Sequence, residues 1–251
     1  MSNEYTLTGD FTLPSQGKVY VANVNPNVTL RSMTTADEMR RLNPSDRPFQ
    51  TMASIIDDCL VVKPGISAYD MCLADYQFLL FRLREVTYGS NYELSTVCPY
   101  CGSTNSGSIN LGQFEVINYY DGLMSLLEVD LPVTKKHVSL RMQTPRIMDD
   151  VSIRSKDIRK KAKDIGDPAF LLSLTALVRA VDGVAIDPIQ AEDFVRNLPM
   201  KDTNKLISAI DKFNEGIGFK TELTTTCDIC GLDYNSPFRI SGDFFRPEDD
   251  E

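Results

Sequence analysis

Two short cysteine motifs, far apart in the sequence, constrain the fold of this chain more than any other feature. Residues 98–102 read CPYCG and residues 227–231 read CDICG, so each motif is Cys-x-x-Cys followed directly by glycine. Extended, β-prone stretches flank both motifs, at 108–116 after the first and at 221–226 and 234–240 around the second. This pattern predicts two β-hairpins with a cysteine turn at each tip. Four thiolates suit a tetrahedral zinc ion, and the predicted ligands are Cys98, Cys101, Cys227 and Cys230.

The spacing within each motif is typical of a metal-binding turn. Two intervening residues let one tight turn direct both sulfurs inward, and the following glycine permits a positive φ, so that backbone amides can approach the sulfurs. The predicted cofactor is therefore one structural zinc ion per chain. A redox-active motif, or two unrelated turns with reduced thiols, remain as alternatives. The recurrence of the same pattern beside β-prone residues counts against both.

The separation of the two motifs is unusual for a zinc ribbon. Residues 102–226 lie between them, whereas compact four-cysteine sites have about 15–20 intervening residues. A long insertion is no thermodynamic obstacle, because each doubling of loop length adds only about 0.6 kcal/mol of closure entropy. The sequence therefore predicts a zinc-ribbon-like module, formed by residues 93–118 and 219–246, that carries an inserted domain.

Composition and charge restrict the function classes that the chain can serve. Hydrophobic residues make up 42% of the chain, which is enough for a substantial core, and the formal net charge is −9. An acidic balance opposes general nucleic-acid binding, which needs cations to displace counterions from phosphates. No apolar run approaches the length of a membrane helix, so membrane insertion is not expected. The N-terminus lacks the features of a signal peptide, which predicts a reducing cytosol where paired cysteines favour metal over disulfides.

The first part of the chain is predicted to be an extended arm followed by helices. Residues 1–30 form the arm, with one short strand at 19–24, and residues 31–92 form a helical region. A capping box of Thr35 and Glu38 predicts a helix over 36–42. Apolar spacing predicts a second helix over 47–62, and a capping box of Ser67 and Asp70 opens the longest helix, over 68–88.

The second part is predicted to be mostly helical, which makes the whole chain an α+β protein with a mainly helical body. The inserted domain spans 119–218, and an acidic tail covers 247–251. Alternation over 131–142 predicts a strand. Residues that favour the starts and ends of helices predict the remaining helices over 147–165, 168–181 and 188–198. A last helix, capped by Asp202, is predicted to end at residue 214.

A search for catalytic groups favours a protein that is not an enzyme and has no small-molecule substrate. His137 is the single histidine and lies beside lysines, which is typical of a plain surface residue. Cys59 and Cys72 fall on apolar helical stripes, where cysteine behaves as a small buried hydrophobe. Phosphate-binding glycine loops are absent from the sequence. The basic part of 147–165 is either a solvated helix face or a docking surface for an acidic partner.

The order of these features resembles that of a known family. The two cysteine motifs, the sequence AVDG at 180–183 and the sequence DFF at 243–245 resemble the baseplate hub proteins of T-even-type contractile-tailed bacteriophages. The resemblance implies a structural or assembly protein, either a hub component or a chaperone of hub assembly, that contacts other tail baseplate proteins. It implies a location in the host cytoplasm during assembly or in the virion. It carries over no catalytic residue, only the four cysteines as zinc ligands.

Two other functions remain open at this level. The chain could be a zinc-ribbon adaptor that acts in transcription or on nucleic acid, although its acidic charge opposes this. It could also be an enzyme whose site the sequence does not reveal. A zinc ion bound by four thiolates is coordinatively closed and offers no position for water or substrate, which counts against catalysis at that site.

Overall fold

The computed structural model describes residues 6–161, 166–220, 222–238 and 242–245. Over these ranges the chain is an α+β protein, as predicted, with seven α-helices and several small antiparallel sheets. Two large clusters of buried apolar side chains form its core. The first is built mainly from residues 13–111 and the second mainly from residues 123–217. A third, small cluster surrounds the cysteine motifs.

The first core packs a three-stranded sheet against three helices. The elements are β1 (Thr8–Thr12), β2 (Asn27–Arg31), α1 (Thr35–Arg41), α2 (Pro48–Cys59), β3 (Leu60–Val62) and α3 (Leu73–Tyr88). The sheet has the order β1-β2-β3, and its central strand buries Val28 and Leu30. Helix α3 is apolar on several sides and buries Phe78, Leu79 and Leu83 among others, so it lies at the centre of this core.

The predicted strand at 19–24 is wrong. These residues lie in a succession of turns between β1 and β2, although Val19 and Val24 are buried. The turns are held by the buried carboxylate of Asp75, which accepts hydrogen bonds from the amide of Ser15 at 3.0 Å and from the hydroxyl of Tyr20 at 2.7 Å. The apolar pattern therefore indicates that Val19 and Val24 are buried, but it does not indicate a strand. Polar contacts to α3 determine the path of the backbone.

Two helix starts also differ from the prediction. The capping box of α1 consists of Thr34 and Asp37, one residue before the predicted pair. Helix α3 begins at Leu73, because the segment from Ser67 to Cys72 forms a turn in which the amide of Asp70 donates to the carbonyl of Ser67.

A hairpin follows α3, which ends at Gly89. Its strands are β4 (Asn91–Val97) and β5 (Thr104–Asn110), and the first cysteine motif lies at its tip. The extended stretch predicted over 108–116 is interrupted by a 3-10 turn, Leu111–Gln113, because the Asn110 side chain accepts a hydrogen bond from the amide of Gly112. The short strand β6 (Val116–Ile117) comes next.

The second core combines a four-stranded sheet with four helices. The elements are β7 (Glu128–Asp130), β8 (His137–Leu140), α4 (Pro145–Lys161), α5 (Pro168–Leu177), β9 (Val178–Val181), β10 (Val184–Ala185), α6 (Pro188–Arg196) and α7 (Met200–Glu215). The sheet has the order β10-β9-β8-β7. None of the helices in the described ranges is long and apolar enough to span a membrane.

Three predictions in this half are corrected. Among the described helices, α4 is the longest, with 17 residues against 16 in α3. The helix predicted over 168–181 ends at Leu177, because Val178 and Val181 pair with β8 as strand β9. Asp202 does not cap α7, because the N-cap of this helix is Pro199. The carboxylate of Asp202 instead accepts hydrogen bonds from the amides of Val133 and Thr134.

The chain then returns to the first core through β11 (Gly218–Phe219), β12 (Glu222–Thr226) and β13 (Asp233–Pro237). Strand β11 pairs with β6, so the two ends of the segment between them meet in one short ladder. Gly218 lets β11 lie close to α3: its φ is +95°, and a Cβ atom there would lie 3.1 Å from the Cβ of Ala74. Rings of several phenylalanines pack around Phe81 of α3 and anchor the bases of both hairpins; they are Phe114, Phe219, Phe238 and Phe244.

Candidate metal centre

Both cysteine motifs form the same turn at the tip of a hairpin. In the first, the amide of Cys98 donates to the carbonyl of Ser103, and the amide of Gly102 donates to the carbonyl of Cys98, both at 2.9 Å. The second repeats these bonds from Cys227 to Leu232 and from Gly231 to Cys227. Both glycines have a positive φ, 74° and 69°, while nothing lies within 4 Å of an added Cβ. The backbone conformation, and not lack of space, therefore requires glycine.

The four predicted sulfurs meet although the motifs are distant in sequence. Their Sγ atoms all lie within 4.8 Å of one another. The closest pairs join the two hairpins, with Cys101 and Cys227 at 3.6 Å and Cys98 and Cys230 at 3.8 Å. Tetrahedral zinc with Zn–S bonds of about 2.3 Å needs sulfurs about 3.8 Å apart. A disulfide would need about 2.05 Å, so the spacing matches a shared metal and not a covalent bridge.

Polar side chains that the sequence analysis missed hold the two tips together. The hydroxyl of Ser103 lies 3.0 Å from the sulfur of Cys101 and 3.2 Å from that of Cys227. The side-chain oxygen of Asn105 accepts the amide of Asp228 in the opposite motif at 2.9 Å. No spacing rule identifies these residues, because Ser103 and Asn105 each contact the other hairpin. The one local signal is that Ser103 directly follows the glycine of the first motif.

A small hydrogen-bonded cluster lies beneath the sulfurs. The hydroxyl of Tyr234 is 2.6 Å from the hydroxyl of Thr96 and accepts the amide NH2 of Asn105 at 3.1 Å. Tyr234 is buried with Cys98 and Cys227 as the third apolar cluster of the fold. The two hairpins thus share an interior, but it is small.

Comparison with known families decides the identity of the whole arrangement. A family model described as T4 bacteriophage base plate protein matches residues 5–246. The chain belongs to this family. No curated protein and no solved structure gives a match. The match includes both cysteine motifs, both large cores and the insertion between the motifs, so baseplate membership applies to nearly the whole chain.

In this baseplate-family protein, the environment of the sulfurs favours different charges on different thiols. The Ser103 hydroxyl lowers the pKa of Cys101 and, with the Cys230 amide, lowers that of Cys227 to about 5. The Leu232 amide also lowers the pKa of Cys230, but partial desolvation and the neighbouring sulfurs outweigh it and raise that pKa to about 12. Four thiolates repel one another at this distance, and a divalent cation would remove that repulsion.

The remaining candidate residues lie away from the cysteine cluster. Cys59 and Cys72 are buried core thiols, as predicted, and burial raises the pKa of Cys59 to about 12. His137 is partly exposed on β8, but it is not an isolated surface residue. Its ring nitrogens lie 2.8 Å from Asp130 and 3.0 Å from Glu128, and these carboxylates raise the pKa of the imidazole. In the part of the chain that the structure describes, the four cysteines form the single cluster suited to a metal ion.

Proposed function

We propose that this protein is a component of the contractile-tail baseplate, either part of the hub or a factor that assembles it, and that it acts through protein–protein contacts. The family match over residues 5–246 carries this proposal, since baseplate membership supports a structural role in the phage tail. The partners are other tail baseplate proteins. The protein works in the host cytoplasm during assembly, and family membership favours a place in the finished tail.

The cysteine cluster holds one structural zinc ion per chain. Cys98, Cys101, Cys227 and Cys230 supply four ligands at separations that suit tetrahedral zinc. Such a site has no open coordination position for water or substrate, so the metal supports a structural and not a catalytic role. When bound, zinc joins two hairpins whose tips share few other contacts, and the pair becomes a zinc-ribbon-like module.

Protein contacts account for this molecule better than nucleic-acid binding does. The net charge is −9, and the second cysteine motif itself carries Asp228 with Asp233 close behind it. Phosphate backbones are bound by clusters of lysine and arginine, and neither cysteine turn contains one. A role as a zinc-ribbon adaptor in transcription therefore remains the weaker proposal.

The test is genetic and structural. A nonsense codon in the corresponding phage gene, in a host without a suppressor, should block complete baseplates, and the chain supplied in trans should restore them. Electron microscopy of tails and plaque counts provide the measurement, and antibody labelling of purified tails separates a virion component from an assembly factor. Normal tails and normal infectivity in the absence of the chain would overturn the proposal.

A further inference from the structure

A cleft on the second core has a chemistry that the cysteine site does not explain. Helices α4, α5 and α6 enclose a cavity of about 330 Å³. Buried Leu172, Val178 and Ala191 contribute its apolar floor. Three arginines contribute to its lining, Arg47, Arg141 and Arg154, and we call the whole feature the arginine cleft. An apolar floor with a few converging charges is typical of a binding site.

The two carboxylates of the cleft are already committed to other partners. Asp150 forms an ion pair with Arg47 at 2.8 Å. Asp187 caps α6, where its carboxylate accepts the amides of Ile189 and Gln190. With three arginines and two aspartates in its lining, the cleft has a formal charge of +1 on an acidic protein.

Of the three arginines, Arg141 is free to bind a ligand, and Arg154 is held only by a long ion pair. The side chain of Arg141 is exposed and has no hydrogen-bond or ion-pair partner among the described residues. Arg154 approaches Glu192 only to 3.9 Å, and Glu192 has a closer partner in Arg196 at 2.6 Å. Guanidinium groups bind carboxylates through paired hydrogen bonds, so Arg141, together with the weakly paired Arg154, favours a carboxylate ligand.

A second exposed cation lies beyond the cleft on α4. Lys161 follows Arg154 by seven residues, which places both on the same face of the helix, about 10 Å apart along its axis. Lys161 is also exposed and without a partner among the described residues. Asp157 lies between them on this face, so the two cations are separate, and a chain segment with acidic side chains about 10 Å apart would contact both.

From these observations we propose that the arginine cleft binds an acidic peptide segment of another baseplate protein. An apolar side chain of that segment enters the cavity, while its carboxylates pair with Arg141 and Arg154. This proposal rests on the proposed baseplate function and adds the chemical character of the partner. It also gives a role to the basic part of α4, which the sequence left open between a solvated face and a docking surface.

A binding assay tests the cleft directly. The probe is a fluorescein-labelled peptide in which leucines alternate with aspartates, and its control has asparagine in place of aspartate. We expect the full-length protein to bind the acidic peptide and to bind the control at least about tenfold more weakly. Binding of both peptides should weaken at high salt. Arg141→Glu should reduce binding at least about tenfold, whereas Lys205→Glu, an equal charge change at an exposed lysine of α7, should change it less than about threefold.

Several outcomes would overturn the cleft proposal. They are no binding of the acidic peptide, equal binding of the two peptides, or full binding by Arg141→Glu. Displacement of the peptide by a DNA oligonucleotide at an equal concentration would reassign the cleft to phosphate ligands. Circular dichroism and thermal unfolding must first show that both variants fold as the parent does; Arg141→Gln replaces the charge reversal if the latter unfolds.

Complementation separates this proposal from the baseplate function itself. If phage lacking the chain fail to assemble, and Arg141→Glu fails to rescue them while Lys205→Glu succeeds, both proposals stand. Full rescue by Arg141→Glu would reject the cleft and leave the baseplate function intact. Normal assembly without the chain would reject the baseplate function, while the peptide assay would still test whether the cleft binds acidic peptides.

Discussion

Ser103 shows how one hydroxyl group can influence a site built from two distant segments. Its oxygen lies within 3.2 Å of a sulfur from each hairpin, those of Cys101 and Cys227. Because a hydroxyl can donate to only one thiolate at a time, it stabilises negative charge at the boundary between the motifs. Groups that hydrogen-bond to metal ligands tune metal affinity in this way without binding the metal themselves.

Removal of that hydroxyl should weaken metal binding. We expect Ser103→Ala to reduce zinc affinity about tenfold, since loss of a partner to a ligand commonly costs 10–100-fold. Competition against a chelator of known affinity measures the change. Ser106→Ala is the matched control, because Ser106 lies three residues further along the same hairpin and bonds to Ser95, away from the sulfurs. Equal zinc affinity in both variants and the parent would contradict a role for Ser103.

Individual helices depend on contacts that local sequence does not contain. The N-terminus of α2 has no side-chain cap of its own. The buried carboxylate of Asp149, on α4, accepts the amides of Phe49 and Gln50 at 3.3 and 2.9 Å and the hydroxyl of Tyr69 at 3.1 Å. A residue of α4 in the second half of the chain thus caps a helix of the first core.

This long-range cap should be important for stability. We expect Asp149→Ala to lower the free energy of unfolding by roughly 2–3 kcal/mol, because it leaves buried amides unpaired. Urea unfolding measures the loss, and hydrogen exchange should accelerate at Phe49 and Gln50. The neighbouring Asp150→Ala removes a half-exposed ion pair with Arg47 and should cost less than about 1 kcal/mol. Similar losses for the two variants would refute a capping role for Asp149.

Helix α2, predicted over 47–62, ends at Cys59, and its last three predicted residues form strand β3. Apolar periodicity, together with residues typical of helix starts and ends, located most helices, and the glycine after each cysteine pair predicted turns that the structure contains. Periodicity failed where polar contacts between distant residues decide the backbone, as at 19–24, which Asp75 organises. It also failed at Val178, where pairing with β8 ends an apolar helix early.

The same distinction applies to the candidate site. The four cysteines were predictable because their spacing and the following glycines are local features. Ser103 and Asn105 were not, since each contacts the opposite motif across more than 120 positions of sequence. The arginine cleft combines residues from before α2 to α6, so only the tertiary structure brings its charges together.

At the level of the whole molecule, the hairpins are anchored at one end. Their bases pack on the first core through Tyr92, Phe238 and Phe244. Their tips share only the small cluster of Cys98, Cys227 and Tyr234 and a few hydrogen bonds. The two large cores contain the helices and do not include the sulfurs of the two cysteine motifs. Metal at the tips should therefore order the module without being required for the helical body.

This organisation predicts the effect of metal loss. Elemental analysis should find one zinc ion per chain, and Cys98→Ser and Cys227→Ser should each lose that same ion, because the two motifs close one site. Far-UV circular dichroism should retain its helical signal in both variants, since the cores stay intact. Hydrogen exchange should accelerate over residues 98–103 and 227–232 and remain slow at Tyr92, and chelation of the parent should reproduce this. Ser106→Ala serves as the control and should keep its zinc. Zinc retained by either cysteine variant would show that the motifs do not share a site, and a loss of helix on chelation would show that the cores depend on the metal.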